Sequence, residues 1–476
     1  MFKIDRLIIA TTLIVFLFVN TQAQKNSSIF GTWIGKLNVN SVELTMVFNI
    51  QTNEKDSVIV TFDSPDQGVK GIPVNFFQLI NDSIKIRSDA LQANYLGKIA
   101  SDFQSIEGLW IQSGFKLPLI LKHQEEAFSV KRPQEPVPPY PYTEEEVSFP
   151  SREEGVRLSG TLTIPKDGKI MTSVILVTGS GPQNRDEELM SHKPFLVLAD
   201  YLTRKGIVVL RYDDRGVGKS TGEYENSTIS NFTEDLNGAI DFLKKSKSTC
   251  CSKIGLIGHS EGGLISINAD NNIDFLVLLG SPGLSGSKIL LKQAEHIAAS
   301  EGVPSENIKE TLLLNKGIYS ILEENAGKAN ICLDVENYIK SVNKSRIEDG
   351  KQNIISDPVR NAILEQVCTP WFQHYIIYDP FDDLGNIKCP VYALFGELDM
   401  QVEPLSNSQI TETAFKQGKN KNYLIEVIPK ANHLFQPAAT GLPSEYAKID
   451  ITISPDVLIK ISKWILERNP PCCTQK

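Results

Sequence analysis

The fold is decided by the stretch Lys253-Ile254-Gly255-Leu256-Ile257-Gly258-His259-Ser260-Glu261-Gly262, which continues as Gly263-Leu264-Ile265-Ser266-Ile267-Asn268-Ala269. Its first five residues have the composition of a buried strand, and the residues after Gly262 have that of a helix. Between them lies G-x-S-x-G, in which small residues flanking a serine allow the tight turn that exposes its hydroxyl. The stretch therefore predicts a strand–turn–helix unit that presents Ser260 as a nucleophile. The alternative is a glycine-rich loop with a structural serine.

Outward from this unit, apolar runs alternate with helical stretches along the second part of the chain. The strand-like runs are Ser173–Thr178, Ile207–Tyr212, Lys253–Gly258, Phe275–Leu279, Val391–Phe395 and Tyr423–Ile428. Continuous Val, Ile and Leu runs separated by helices are typical of a parallel sheet covered on both faces. The alternation stops between Ser281 and Cys389, where Ser287–Ser300 and Glu306–Glu324 predict amphipathic helices. We expect residues 283–388 to form a helical lid.

With its G-x-S-x-G turn, the chain resembles the α/β-hydrolase family over about residues 145–470. The resemblance implies the chain order serine, acid, histidine. Gly396-Glu397-Leu398-Asp399-Met400-Gln401-Val402, which follows a strand-like run, is similar to the family's G-x-x-D-x-x-V turn. It implies Asp399 as the acid, with Glu397 as the second choice. The alternative is an aspartate that only forms the turn.

The resemblance also selects one histidine. Ala431-Asn432-His433-Leu434 follows the last strand-like run and is similar to the family's N-H loop. The other five histidines lie earlier in the chain, at His123, His192, His259, His296 and His374. We therefore expect His433 to take the proton of Ser260, with Asp399 fixing the imidazole tautomer.

Two backbone N–H groups are expected to stabilise the oxyanion. The resemblance implies that one belongs to Glu261, the residue after the nucleophile. The other comes from the loop Gly179-Ser180-Gly181-Pro182-Gln183-Asn184-Arg185-Asp186-Glu187, where Ser180 is preferred to Gly181. This G-S-G-P-x-x-R-D form resembles a bacterial carboxylesterase subgroup, some members of which are labelled serine aminopeptidases. It departs from the family's H-G-x-x-P loop in having Thr178 where His is common, and it could also be a plain glycine-rich turn.

A second motif needs a separate interpretation. Gly218-Lys219-Ser220 suggests a phosphate-binding loop, but G-x-x-x-x-G-K-S requires glycine at position 213, which is Asp213. The spacing therefore excludes that interpretation. Arg211–Ser220 instead resembles the R-x-D-x-R-G-x-G-x-S loop of α/β-hydrolases, whose charges are expected to brace the site.

The first part of the chain predicts a separate, all-β domain. Residues 24–125 contain short runs that alternate apolar and polar residues and are separated by turn residues, which predicts a β-sandwich or small barrel. Trp33 and Trp110 are expected inside it, although a carbohydrate-binding surface is the alternative. Residues 126–143 carry five prolines within nine positions and predict a stiff linker to a hydrolase domain at 144–476.

The N terminus has the features of an export signal. Lys3 and Arg6 precede the apolar run Leu7–Val19, and Ala23 ends a small-residue cleavage site. This pattern predicts a signal peptide over residues 1–23, because 13 apolar residues are fewer than the ~20 that a spanning helix needs. An uncleaved anchor is the alternative. We expect an exported protein, periplasmic or extracellular, with no transmembrane span after signal removal.

The composition of the chain limits the classes of partner that it is expected to bind. The chain has 48 basic and 57 acidic residues, a net charge of −9, and no basic cluster, so a nucleic-acid partner is not expected. The seven cysteines have no zinc-site spacing, and a Cys332–Cys368 bridge is possible. No cofactor or metal is implied. The predicted partner is a small-molecule acyl ester; the acyl chain length and the oligomeric state stay open.

Two other functions remain at this point. One is a serine aminopeptidase of the same fold, in which lid carboxylates bind the substrate amine; the candidates are Glu301, Glu306, Glu323 and Glu324. The other is glycan or envelope binding by the N-terminal domain with a degenerate hydrolase. A complete set of Ser260, Asp399 and His433 in the family's order argues against degeneracy.

Overall fold

The computed structural model describes residues 29–39, 42–53, 57–67, 69–112, 114–124, 132–166, 172–246, 249, 253–270, 273–350 and 355–468. The predicted signal peptide at 1–23 lies outside these ranges. The chain forms two compact units, one from the chain up to Lys131 with Leu189–Ser191, the other from Arg132–Glu188 and His192–Lys476. None of the helices in the described ranges combines the length and apolar character that a membrane crossing requires.

The first unit is one antiparallel sheet of nine strands. The strands are β1 Gly31–Val39, β2 Val42–Thr52, β3 Val58–Ser64, β4 Val69–Pro73, β5 Phe76–Ile80, β6 Ser83–Ser88, β7 Ala93–Ile99, β8 Ser105–Gln112 and β9 Phe115–Gln124. Their order across the sheet is β4-β3-β2-β1-β9-β8-β7-β6-β5. Burial alternates along them, as in β6, because successive side chains point to opposite faces.

The two edge strands of this sheet, β4 and β5, are consecutive in the chain and only two residues separate them, which favours the barrel interpretation. The N–H of Val74 donates to the carbonyl of Val60 on β3, and the next N–H, of Asn75, donates to the carbonyl of Arg87 on β6. Two adjacent residues thus bond to opposite ends of the sheet. Trp33 and Trp110 pack in the enclosed core, at 0% and 4% exposure, and this burial removes them as a carbohydrate-binding surface.

The described part of the predicted linker is bonded to the second unit. The Arg132 guanidinium donates to the carbonyls of Ala447 and Ile449, and it is buried. The Gln134 amide accepts the N–H groups of Thr452 and Ile453. Residues from Arg132 onward therefore belong structurally to the second unit, because their polar groups are satisfied there.

The second unit is built on an eight-stranded mixed sheet. Its strands are β10 Tyr142–Pro150, β11 Arg157–Pro165, β12 Thr172–Val177, β13 Val208–Tyr212, β14 Lys253–His259, β15 Phe275–Leu279, β16 Val391–Gly396 and β17 Tyr423–Ile428. The order is β10-β11-β13-β12-β14-β15-β16-β17. From β13 to β17 all neighbours are parallel, as predicted, and β10 and β11 add an antiparallel edge.

Helices cover both faces of this sheet. Outside the lid these are α1 Pro194–Arg204, α2 Ile229–Lys245, α3 Glu261–Ile267, α10 Pro404–Gln417 and α11 Pro455–Arg468. Side chains of α1 and α11, such as Leu198 and Trp464, pack on one face of the sheet. Side chains of α2, α3 and α10, such as Leu236 and Phe415, pack on the other. The central strands are therefore buried on both sides, which explains their uninterrupted apolar sequences.

Six helices separate β15 from β16 where a lid was predicted. They are α4 Gly286–Ser300, α5 Ser305–Glu324, α6 Ile331–Glu348, α7 Asp357–Val367, α8 Pro370–Ile377 and α9 Phe381–Asn386. Helices α5 to α8 share an apolar core of their own that includes Ile318, Val335 and Phe372, whereas Leu384 of α9 packs in the core of the sheet. A disulfide joins Cys332 on α6 to Cys368, the residue that ends α7.

Candidate active site

Ser260 lies on a sharp turn between β14 and α3. Its backbone has φ +52° and ψ −120°, a conformation that residues with a side chain rarely adopt, and its N–H donates to the carbonyl of Leu279. A Cβ on Gly258 would lie 2.3 Å from the carbonyl oxygen of Gly262, and one on Gly262 would lie 2.1 Å from that of Val177. Both glycines are therefore required by the close approach of backbone, which is the physical content of G-x-S-x-G.

Asp399 and His433 form a buried pair. Asp399 lies in the loop after β16, and its Oδ1 accepts the N–H groups of Gln401 and Val402 at 2.8 Å each. Its Oδ2 is 2.7 Å from Nδ1 of His433, which lies in the loop after β17. The exposed fractions are 3% for Asp399 and 4% for His433. The carboxylate therefore has both its orientation and its imidazole partner fixed by hydrogen bonds.

The pair lies against the nucleophile turn. Gly280, directly after Leu279, has φ +55°, and a Cβ there would lie 3.3 Å from His433 Nδ1 and 3.4 Å from Asp399 Oδ2. The ring of His259, next to Ser260, has its centroid 4.8 Å from that of His433. Among the described residues, no hydrogen bond is recorded between Ser260 Oγ and His433 Nε2; in the absence of substrate such bonds are often long.

In the loop after β12, the N–H groups on both sides of Ser180 are engaged within the protein. The N–H of Gly179 donates to Glu187 Oε1, and that of Gly181 donates to the hydroxyl of Tyr224, both at 2.8 Å. In the described part of the chain, the N–H of Ser180 between them has no recorded acceptor. The N–H of Glu261 is likewise unused within its helix, because it belongs to the first turn of α3.

Glu261 also brings an unexpected carboxyl group to the turn. Its side chain is 2% exposed, and its Oε1 accepts the indole N–H of Trp371 on lid helix α8 at 2.7 Å. Burial raises the pKa of Glu261 to about 7, although hydrogen bonds from Ser180 and Trp371 act to lower it. Sequence reasoning gave Glu261 only a backbone role and no role to Trp371, because the contact spans 110 residues.

The Arg211–Ser220 motif and the G-S-G-P-x-x-R-D loop are joined by ion pairs. Arg185 contacts Asp213 through two nitrogens, and Arg211 contacts Asp186. Asp214 accepts the Thr178 hydroxyl and the N–H of Gln183, at 2.7 and 2.9 Å.

Further along the motif, Arg215 pairs with Asp235 through two nitrogens. Burial raises the pKa of Asp214 to about 8. The ion pairs of Arg185 with Asp213 and of Arg211 with Asp186 hold the loop that follows β12 in place.

Within the residues that the structure describes, no group of three or more His, Cys, Asp or Glu side chains is arranged to hold a metal ion.

Comparisons with known proteins give sequence relatives for part of the chain. A sequence model of the family described as serine aminopeptidase, S33, matches residues 191–301. Esterase EstD of Thermotoga maritima is 30% identical over 314 residues, which are 65% of this chain and 66% of that protein. An acyl transferase of Shewanella hanedai is 30% identical over 133 residues, 28% of this chain and 40% of that protein. The chain thus spans about 66% of the esterase's length and less than half of the acyl transferase's.

Among solved structures, the esterase Pf2001 of Pyrococcus furiosus is similar with a TM-score of 0.41 and 18% identity. That match covers 69% of this chain and 90% of the esterase. The mixed eight-stranded sheet, the serine turn after β14 and the sequence relatives agree with one another. The second unit therefore has the α/β-hydrolase fold, and residues 191–301 match the serine aminopeptidase, S33, family.

Proposed function

We propose that this protein is an exported serine hydrolase that cleaves carboxylic ester bonds through Ser260, His433 and Asp399. The observation that carries the proposal is the backbone of Ser260, a non-glycine residue at φ +52° beside the buried His433–Asp399 pair. Such backbone strain persists where the surrounding structure imposes it, and it concentrates at functional sites. The 30% identity with esterase EstD supports an ester as the substrate.

The reaction proceeds in two acyl-transfer steps. Ser260 Oγ attacks the ester carbonyl carbon while His433 Nε2 takes its proton, and the resulting imidazolium is stabilised by Asp399 at Nδ1. The tetrahedral intermediate collapses, the alcohol leaves with the proton from His433, and Ser260 carries the acyl group. Water, deprotonated by His433, then attacks the acyl-enzyme and releases the acid.

The N–H groups of Glu261 and Ser180 stabilise the oxyanion in both steps. The amides on either side of Ser180 are held by Glu187 and by Tyr224, which fixes the loop and leaves the Ser180 N–H for the substrate. Donors that are oriented before the reaction need no reorganisation during it, and one such donor contributes about 10²–10³ in rate.

The test compares residues 24–476 of the wild type with Ser260→Ala on p-nitrophenyl esters of increasing acyl length. We expect Ser260→Ala to lose at least about 10³-fold in kcat and to lose labelling by a fluorophosphonate, which reacts with an activated serine. Ser341→Ala is the matched control, because Ser341 is an exposed serine on α6. A Ser260→Ala variant that remains as active as the wild type would refute the proposal.

Aminopeptidase activity is the second candidate, and it is favoured by the match of residues 191–301 to the serine aminopeptidase family. The four lid glutamates that could bind a substrate amine are all exposed. Aminoacyl p-nitroanilides, run beside the esters, distinguish the two candidates. Turnover of the anilides alone would assign the site to a peptidase.

Export rests on the pattern of residues 1–23 and is supported by the Cys332–Cys368 disulfide, because disulfides persist in oxidising compartments. We expect the mature protein, isolated from the host's periplasm or medium, to begin at Gln24. Mass spectrometry of its N terminus tests this directly. A mature protein that retains residues 1–23 would favour the uncleaved anchor.

A further inference from the structure

A second histidine–carboxylate pair lies beside the nucleophile, and the proposed reaction does not use it. Nδ1 of His259, the residue before Ser260, is 2.8 Å from Oε1 of Glu187. Nε2 of His259 is 3.0 Å from the backbone carbonyl oxygen of His433. Both side chains are buried, with residue exposures of 7% and 4%. This pair is separate from the His433–Asp399 pair, and it contacts His433 through that backbone carbonyl and through the two imidazole rings, whose centroids are 4.8 Å apart.

The partners of the ring determine its protonation. A carbonyl oxygen only accepts hydrogen bonds, so Nε2 of His259 must carry a proton to bond to His433. Oε1 of Glu187 already accepts the N–H of Gly179, and as a carboxylate it also accepts a proton donor at Nδ1. With Glu187 as a carboxylate, both ring nitrogens then donate, and the two side chains form an ion pair. Burial acts to lower the pKa of His259, but Glu187 and the His433 carbonyl raise it, and the net direction is upward.

The pair connects three parts of the site that are distant in sequence. Glu187 reaches Gly179, which begins the loop that carries Ser180, and a Cβ on Gly179 would lie 3.3 Å from the Cβ of Ser260. His259 ends β14, and its Nε2 reaches the loop that carries His433. The positions of the oxyanion donor, the nucleophile and the base are therefore linked through one ion pair.

We propose that Glu187 and His259 are positioning residues for the acyl-transfer reaction. The ion pair fixes the Ser180 N–H and the His433 imidazole relative to Ser260. The N–H can then bind the carbonyl oxygen of the substrate while the imidazole takes the proton of the attacking hydroxyl. This inference rests on the proposed function. Neither residue hydrogen-bonds to a reacting atom: their effect passes through the backbone of Gly179 and of His433 and through the contact between the His259 and His433 rings.

The first experiment is Glu187→Gln, which keeps the size of the side chain but removes the charge. The amide oxygen can still accept the N–H of Gly179 and the N–H at Nδ1 of His259, so the change removes the charge of the pair and keeps its hydrogen bonds. We expect kcat on a p-nitrophenyl ester to fall about 10- to 100-fold, as when a partner that orients a reacting group is lost, with KM changed by less than about threefold. Glu426→Gln, a carboxyl-to-amide change at a partly exposed site on β17, is the matched control and should leave kcat unchanged.

His259→Gln and the double variant Glu187→Gln/His259→Gln complete a double-mutant cycle, which measures the coupling between the two side chains. Residues that act as one unit are not additive, so the double variant should lose little more kcat than either single variant. A purely structural role would instead lower the melting temperature while leaving kcat per folded molecule intact. A Glu187→Gln variant that folds and keeps kcat within about twofold would overturn the proposal.

A measurement on the wild type needs no variant to fold. The chain has six histidines, so 15N-histidine labelling gives a spectrum that can be assigned. We expect the pKa of His259 to lie above 6.5, the ordinary value for histidine, and a ring that is already neutral at pH 6.5 would overturn the proposal.

The rate of fluorophosphonate labelling of Ser260 separates failure of this inference from failure of the proposed function. If the wild type hydrolyses no ester but is labelled, slower labelling of Glu187→Gln still supports positioning, and equal labelling overturns it. A wild type that is neither active nor labelled overturns both.

Discussion

At the residue scale, the hydrogen bonds of Asp399 make one substitution decisive. In Asp399→Asn, Oδ1 still accepts the N–H groups of Gln401 and Val402, so the loop keeps its shape. The new NH2 faces Nδ1 of His433 and donates to it, which moves the ring proton to Nε2 and prevents that atom from accepting the proton of Ser260. We expect a loss of about 10⁴-fold in kcat, the size found for this change in a Ser-His-Asp protease.

Kinetics on a short ester and a thermal melt check this prediction together. Asp399→Ala is the comparison, because it also removes the acceptor for the two loop N–H groups and should lower the melting temperature, whereas Asp399→Asn should not. An Asp399→Asn enzyme with near-normal kcat would mean that Asp399 does not set the tautomer of His433.

Residues differ in how far sequence could identify them. Ser260, Asp399 and His433 were nominated from short motifs in the family's chain order, and the structure places Asp399 and His433 in one hydrogen bond beside the turn of Ser260. No role was predicted for Glu187, because its partner His259 lies 72 residues away in the sequence. Such partners are set by the packing of the loops, which no local pattern records.

At the element scale, one hydrogen bond joins the lid to the nucleophile helix. The indole of Trp371 on α8 donates to Glu261 on α3, inside a buried site. The pKa of Glu261 rises from 4.5 to about 7 on folding, so the folded state binds this proton more tightly than the unfolded state. The carboxyl's contribution to stability is therefore fully present below pH 4.5 and is lost as the pH rises through about 7.

Glu261→Gln removes this dependence. We expect its free energy of unfolding to match that of the wild type near pH 4.5 and to exceed it at pH 8 by up to about 3 kcal/mol, from 1.36 kcal/mol per pKa unit. Urea unfolding of both proteins at the two pH values measures the difference. A gap of equal size at pH 4.5 and pH 8 would contradict the assignment of a titrating carboxyl to this contact.

The disulfide acts within the lid. Cys332 and Cys368 are 36 residues apart and close a loop that contains α6 and α7. Replacing both by serine should lower the stability of the lid by about 2–4 kcal/mol, chiefly because the unfolded loop gains conformational freedom. Non-reducing urea unfolding tests this, and Cys389→Ser, at a free cysteine, is the control. An unchanged midpoint in the double variant would contradict it.

Elements also show where sequence patterns stop being informative. The apolar runs located the parallel strands to within a residue or two, because a strand buried on both faces has a continuous apolar sequence. For the first unit, period-two alternation predicted strands but left sandwich and barrel open. The choice between them depends on the backbone hydrogen bonds of Val74 and Asn75, which reach strands near opposite ends of the sheet. The pattern of apolar and polar side chains does not predict backbone hydrogen bonds of this kind.

At the scale of the whole molecule, each unit has a core of its own. Among the described residues, the aromatic core of the first unit, with Trp33 and Trp110, contains no residue of the second unit, and the cores of the second unit contain no residue of the first. Units with separate cores commonly fold separately. Ser260, Asp399 and His433 all belong to the second unit.

A chain of residues 126–476 should therefore fold and hydrolyse a short, soluble ester with kcat/KM within about threefold of that of residues 24–476. Calorimetry of the longer chain should show a transition that the shorter chain lacks. The start must precede Arg132, because its guanidinium and the Gln134 amide satisfy buried backbone groups of residues 447–453.

A chain of residues 142–476 is the matched control. It lacks those bonds and should be less stable by several kcal/mol, since buried carbonyl and N–H groups lose their partners. If residues 126–476 fold, as judged by circular dichroism, but lose more than about tenfold in kcat/KM, then the barrel contributes to the site and the two units do not act independently. If both chains keep full activity, the barrel's task lies outside catalysis on small esters, and binding by its outer surface becomes the property to measure.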